Sequence, residues 1–223
     1  MGLFTQTDEV SIRGPIIARE TFNKFKDSQL FKEVAKKFLK NVKNATRAQK
    51  WAKIFHKEVQ SHVNEVVESL DHPELIQCRK GCSACCYTQV SVTEEEAELL
   101  AQRVESGVNI DRTKLYSQAQ AKNNAEKWYQ MDHKKRGCVF LDENENCRVY
   151  EDRPAVCRTN IALSDPKFCD TSDGYEKPQR LLLTVKADLV VAVAYEEARS
   201  AGALPNMLDK ALKKRLSILD RRL

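Results

Sequence analysis

Sulfur is the chemistry this chain has in unusual local supply. Cys78, Cys82, Cys85 and Cys86 fall within the nine residues CRKGCSACC, and Cys138, Cys147, Cys157 and Cys169 follow further along the chain. Three uses compete for such a set: a disulfide knot, a redox-active dithiol, or thiolate ligands for metal. Eight cysteines in 223 residues lie well below the roughly 8–10% that marks a small disulfide-built domain. A redox dithiol accounts for little of the pattern, since CxxC spacing occurs only at Cys82 and Cys85 and its surroundings do not alternate strand with helix. Short gaps let a turning backbone aim several thiolates at one point, and Gly81 supplies the freedom to curl. Soft thiolates suit zinc and iron–sulfur clusters, both of which accept four-sulfur sites. Burial as small apolar side chains would serve one or two cysteines, but it does not explain their clustering.

The cysteines need elements to hold them. Leu30, Phe31, Val34, Phe38, Leu39 and Val42 recur at helical spacing, as do Trp51, Phe55, Val59, Val63, Val66 and Leu70, so two amphipathic helices are expected. Asn44 or Thr46 is placed to cap the second. Thr93 followed by Glu96 is a capping-box pattern opening a third helix. A fourth should start after Asp111 and run towards Tyr129. The tail predicts one helix over about 180–200 and another after Pro205, with Leu208, Leu212, Leu216 and Leu219 on one side. The clear strand signal is CVFLDENENCRVY, residues 138–150, two short apolar runs flanking a turn. With a loop over Asp142–Asn146, Leu141 faces Cys147, and Cys138 points to the other face by alternation. Pro154 suits the first turn of a helix holding Cys157. The expected fold is therefore mainly α, a helical domain with a small β-hairpin carrying a cysteine-rich metal site. Residues 1–70 read as a basic helical extension packing on the core, and residues 71–223 as the cysteine-cluster metal-binding domain with C-terminal helices.

Charge is uneven. Residues 24–57 hold 11 basic and 2 acidic side chains, and residues 210–223 hold 6 and 1. The basic stretch carries no base-reading motif and its aromatics fit a core, so it reads as a solvated helix face and nucleic acid is not an expected partner. The longest apolar run, LVVAVAY at 189–195, is far short of the ~20 residues of a membrane span. The start MGLFTQ shows neither a secretory leader nor a myristoylation signal. A cytoplasmic location is expected, where thiols stay reduced.

Read together, CRKGCSACC and CVFLDENENCRVYEDRPAVCR resemble the YkgJ-type cysteine-cluster family, whose members are described as zinc- or iron-chelating. The resemblance covers about residues 78–170. It rests on Cys78, Cys82, Cys85 and Cys86, the Cys138-Val-Phe-Leu run, Cys147 with Val149-Tyr150, and Arg153-Pro154 leading to Cys157-Arg158. It departs where Val139 stands in place of the family's common proline. Relatives such as flagellin lysine methylases join the pattern to methylation, but no residue outside the cysteine region here carries that activity over. The C-x3-C-x2-C spacing also resembles that of radical S-adenosylmethionine enzymes, whose barrel of repeated strands and helices this chain does not have.

All eight cysteines, Cys78, Cys82, Cys85, Cys86, Cys138, Cys147, Cys157 and Cys169, are thus candidate ligands, enough for two four-sulfur sites or one polynuclear site. Adjacent Cys85 and Cys86 are awkward partners on one ion, since neighbouring side chains tend to diverge. Iron, held as an Fe–S cluster, is favoured; zinc is the alternative. Arg79, Lys80, Arg136, Arg148, Arg153 and Arg158 lie beside the cysteines, where cations lower thiol pKa; Arg153 and Arg158 could do this or bind an anionic substrate, and surface salt bridges with Glu151 and Asp152 are an equal alternative. His72 and His133 are secondary ligand candidates, while His56, His62 and Tyr150 read as structural. Three classes fit: a redox or cofactor-dependent enzyme, a zinc-fixed binding module, and a metal-handling protein. No nucleotide-binding glycine loop, Ser-His-Asp set or HExxH motif is present.

Overall fold

The computed structural model describes residues 13–79 and 81–220. The MGLFTQ start and Lys80 lie outside them, as does the side chain of Leu219. The chain is mainly α, with a two-stranded antiparallel sheet. Helices α1 (Arg13–Phe25), α2 (Gln29–Val42) and α3 (Ala48–Glu68) open it. The Ser28 hydroxyl accepts the Phe31 N–H and starts α2. Neither Asn44 nor Thr46 caps α3, which begins at Arg47 without a side-chain cap.

Strand β1 (Ser91–Thr93) leads into α4 (Glu94–Glu105) through the expected capping box of Thr93 and Glu96. Asp111 caps α5 (Arg112–Ala119), but the long fourth helix breaks there and restarts as α6 (Ala125–Gln130) under an Asn124 cap. The interruption serves a distant contact. The Asn123 side-chain oxygen accepts the Ala203 N–H at 2.9 Å, which requires the chain to leave the helix near Lys122, whose φ is 49°. Helices α7 (His133–Arg136), α8 (Ala155–Thr159), α9 (Val185–Glu197) and α10 (Leu204–Asp220) follow, with strand β2 (Ala201–Ala203) before the last.

The sheet joins β1 to β2, Val92 opposite Gly202, and these three-residue strands carry no sequence signal of their own. Around the expected cysteine-bearing hairpin, regular pairing shrinks to one antiparallel bridge, Leu141 with Cys147. That register is the one a five-residue loop demands. Cys138 instead lies outside the ladder, its N–H donated to the Cys86 carbonyl at 2.9 Å, so strand alternation does not govern where it points.

Two apolar cores result. In the first, Phe38 and Phe55 of α2 and α3 are fully buried with Ala155 of α8 and Val190 and Tyr195 of α9. Each such large side chain contributes about 1.5–3 kcal/mol by burial. In the second, Leu100 of α4 and Leu208 of α10 pack with Val139, Phe140 and Val149, and Cys138 and Cys147 lie against it. Helix α4 is wedged between α3 and α10. The leucine face of α10 is buried at Leu208 and Leu212, whereas Leu216 faces solvent.

Candidate metal centre

The seam between the two cores is where the cysteines meet. Gly81 adopts φ 82°, the left-handed conformation that glycine takes without strain, and turns CRKGC into a 3₁₀ turn over Ala84–Tyr87. This turn presents Cys85 and Cys86. Cys78 precedes it and is tied to the segment after α8, its Sγ accepting the Ala162 N–H at 3.2 Å. Cys138 hangs from the Cys86 backbone, Cys147 sits on the Leu141 bridge, and Cys157 rides on α8. Cys169 follows a short turn at Pro166–Phe168 and contacts the Gln179 side chain at 3.3 Å.

All eight thiols are free, and most are raised by burial and by their neighbours' charge. Burial pushes Cys138 up to about 12, with Cys147 and Cys85 adding to the rise. Burial also raises Cys157 far above the ordinary thiol, helped by Cys85, Cys138 and Cys147. Cys86 is raised first because its S–H is held by Cys85, then by burial and by the charges of Cys85, Cys138 and Cys157. Cys169 is pushed up to about 11 by burial and then by Cys85, Cys78 and Cys82. Cys78 is likewise raised by burial, with Cys85 and Cys82 contributing. Cys85 thus acts on Cys157 as well as on Cys78 and Cys169. It is itself lowered to about 7, chiefly because Cys86 donates a hydrogen bond to it, with help from Asn160 and Arg153. The Cys86 thiol reaches Cys85, contrary to the expected divergence.

Among the described residues, no three His, Cys, Asp or Glu side chains stand close enough together to hold an ion as they are placed. The sulfurs are gathered without being closed round a point. Their chemistry nonetheless fits a metal. Most are pushed up by burial and mutual repulsion, an environment that resists several thiolates at once unless a cation compensates them, and a coordinated thiol is deprotonated outright.

The basic neighbours divide by role. Arg153 lowers Cys85 and Cys147, and Arg158 lowers Cys147. Arg158 is also buried scaffolding: it donates to the carbonyls of Arg153 and Glu151 and to the Gln60 side chain at 3.0 Å. It does not pair with the Glu151 or Asp152 carboxylates; Asp152 pairs with Arg103. Arg153 lies over the exposed Tyr150 ring, 3.9 Å from its centroid, so Tyr150 is a stacking platform rather than core packing. Arg136 is fully buried and holds the segment after Cys169 through Thr171. Arg148 pairs with Glu143, and Arg79 is exposed. His133 stacks on Tyr87, beside Cys86, with centroids 4.4 Å apart. His72 is exposed and meets only Glu74.

Two supporting residues were not singled out from the sequence. Glu96, fully buried, accepts the N–H groups of Thr93 at 2.9 Å and Ala155 at 2.8 Å, and His56 Nε2 lies 2.9 Å away. It thereby anchors the start of α8 two residues before Cys157. Its capping-box position was legible; its reach across to α8 was not. Glu145, at φ 60°, accepts from Ser83 at 2.5 Å and Tyr87 at 3.2 Å, tying the Cys147 turn to the Cys85–Cys86 turn.

Among curated proteins and among solved structures, none matches this chain. Residues 77–174 match the CxxCxxCC family, described as a "putative zinc- or iron-chelating domain". The match runs from just before Cys78 to just past Cys169, so it takes in every cysteine, and it supports metal chelation as the domain's general role. Residues 77–174 of this chain are therefore similar to the CxxCxxCC cysteine-cluster family.

Proposed function

We propose that this domain binds iron as an Fe–S cluster through Cys78, Cys82, Cys85, Cys86, Cys138, Cys147, Cys157 and Cys169, divided into two four-sulfur sets. The observation that carries this reading is geometric: the Cys138 N–H donates to the Cys86 carbonyl, and the Cys78 Sγ accepts the Ala162 N–H just past Cys157, which ties the cysteine-bearing segments to one another. When bound, a cluster would supply electron transfer; zinc in the same sulfurs would supply only structural closure.

This chain's own residues do the rest. Arg153 offsets thiolate charge at Cys85 and Cys147. Glu96 and Arg158 fix α8, and Glu145 fixes the two turns against each other. The basic helices of residues 1–70 act as an extension braced on the cysteine domain through α9, with a metal ion as the domain's partner and the cytoplasm as its setting. Among the described residues no helix is long and apolar enough to cross a membrane.

Zinc is the second reading. It is favoured by the placement of the cysteines on the seam between two cores, where a closed ion would staple the fold.

Anaerobic purification followed by metal analysis and a visible absorption spectrum separates the two. Brown protein with stoichiometric iron that bleaches on reduction is expected. Colourless protein with stoichiometric zinc from iron-replete cells would overturn the iron reading.

A further inference from the structure

Between α8 and α9 the chain doubles back on itself. Leu163 donates its N–H to the Arg180 carbonyl at 2.8 Å, Leu182 donates to the Ile161 carbonyl at 2.9 Å, and Ala162 and Leu181 form an antiparallel bridge. On the other side of this ladder the Gln77 N–H donates to the Ala162 carbonyl at 2.9 Å. Residues 161–163 are thus the middle segment, and residues 180–183 form an edge. Burial along that edge alternates: Leu182 and Thr184 are buried, whereas Leu181 and Leu183 are exposed.

Alternation also decides where the backbone points. In an antiparallel pair the N–H and C=O of one residue face the neighbouring strand, and those of the next residue face away. Arg180 and Leu182 bond to the middle segment, so Leu181 and Leu183 present their groups outward. Among the described residues these groups find no hydrogen-bond partner. Leu183 is 80% exposed, more than any other large apolar side chain among the described residues. Open backbone groups beside bare apolar side chains are a template for another strand. The usual guards against such pairing are missing, since no charge or proline interrupts residues 181–184.

We propose that this edge pairs antiparallel with the same edge of a second copy of this chain. The segment is its own complement. With Leu182 at the two-fold axis, Leu181 stands opposite Leu183 of the second copy, and each outward N–H meets an outward C=O in an isologous contact. Directly opposed side chains share a sheet face, so the four exposed leucines cover one another. Arg180 falls opposite Thr184 of the second copy, which keeps the two arginines apart at the ends of the ladder. An unrelated chain would have to supply this pattern of groups; a second copy already carries it. A contact a few residues long is small, so the dimer is a weak one.

Sedimentation of the full chain with its thiols kept reduced tests this, from about 10 µM to about 1 mM, the range in which weak contacts report. A monomer–dimer equilibrium is expected. Hydrogen exchange over the same range should show the Leu181 and Leu183 amides becoming protected as the dimer forms. Leu183→Lys sets a charge against the leucine opposite and should weaken the dimer about tenfold or more, with an unchanged melting temperature. Leu216→Lys, at an exposed leucine on α10, should leave it unaltered. A monomer throughout, including one that instead captures an extended peptide at this edge, would overturn the second copy as occupant. Equal dimerisation in the Leu183 variant, or Leu181 and Leu183 amides that stay unprotected in the dimer, would overturn the edge as the interface.

Discussion

The Cys138 N–H donates to the Cys86 carbonyl at 2.9 Å, joining the two cysteine-bearing stretches by their backbones. α4, α5, α6 and α7 lie between them in sequence, so the protein frame alone brings these two backbones together.

Metal binding should therefore couple to stability through both sets. Cys157→Ser and Cys82→Ser are each expected to remove about half of the bound metal and to lower the melting temperature together. A chain of this size shifts by about 2–4 °C per kcal/mol. Metal analysis paired with calorimetry checks this, and full metal content in both variants would refute the shared arrangement.

Glu96→Ala strips three buried contacts at once, those to Thr93, Ala155 and His56. Removing one member of a buried, hydrogen-bonded charged group costs about 3–5 kcal/mol. Urea denaturation should show a loss of that size. Because α8 is freed near Cys157, competition with a chelator should also strip metal faster than from the parent. A loss below about 1 kcal/mol would mean that Glu96 does not anchor α8.

Arg153 is the clean probe of charge at the centre, because it is half-exposed and stacks on Tyr150, whereas Arg158 is built into the frame. Nearby positive charge favours the reduced, more negative state of a cluster. Arg153→Gln should make the iron-loaded protein harder to reduce while leaving its iron content intact. A potential unchanged within error in a dye-coupled titration would count against Arg153 as a neighbour of the centre.

Asp188, in the first turn of α9, gives a pH signature remote from the cysteines. Desolvation of its carboxyl pushes it up from 3.8 to about 6, although the residue as a whole is exposed and the Thr184 hydroxyl opposes the rise. The folded state then binds the proton more tightly than the unfolded state. The stabilisation is fully present below pH ~3.8 and is lost as pH rises through about 6. Asp188→Asn should gain stability over the parent across that window, with a constant advantage above it and none below. Melting temperatures measured from about pH 3 to about pH 7, roughly one unit beyond each limb, would show the crossover, and parallel curves would dismiss it.

The sequence by itself determined the helices whose apolar faces repeat at 3.6 residues, the Thr93–Glu96 capping box and the turn at Gly81, while the Leu141–Cys147 register followed from it only for a five-residue loop. Each depends on residues close in the chain, where spacing alone fixes which side chains share a face or a turn. It also showed the clustered cysteines on which the similarity of residues 77–174 to a chelating family rests. Tertiary structure decided what long-range contacts control. Asn123 leaves the helical run to reach Ala203 and so breaks the fourth helix. Ala201–Ala203 becomes a strand only because Ser91–Thr93 lies beside it. Cys138 departs from strand alternation because Cys86 holds its backbone. Arg158, legible as a surface cation, is drawn inside to satisfy carbonyls, and His56, legible as an idle helical residue, is paired with a carboxylate from α4. Buried polar groups must find partners wherever the fold supplies them, and partners far apart in sequence leave no periodic mark.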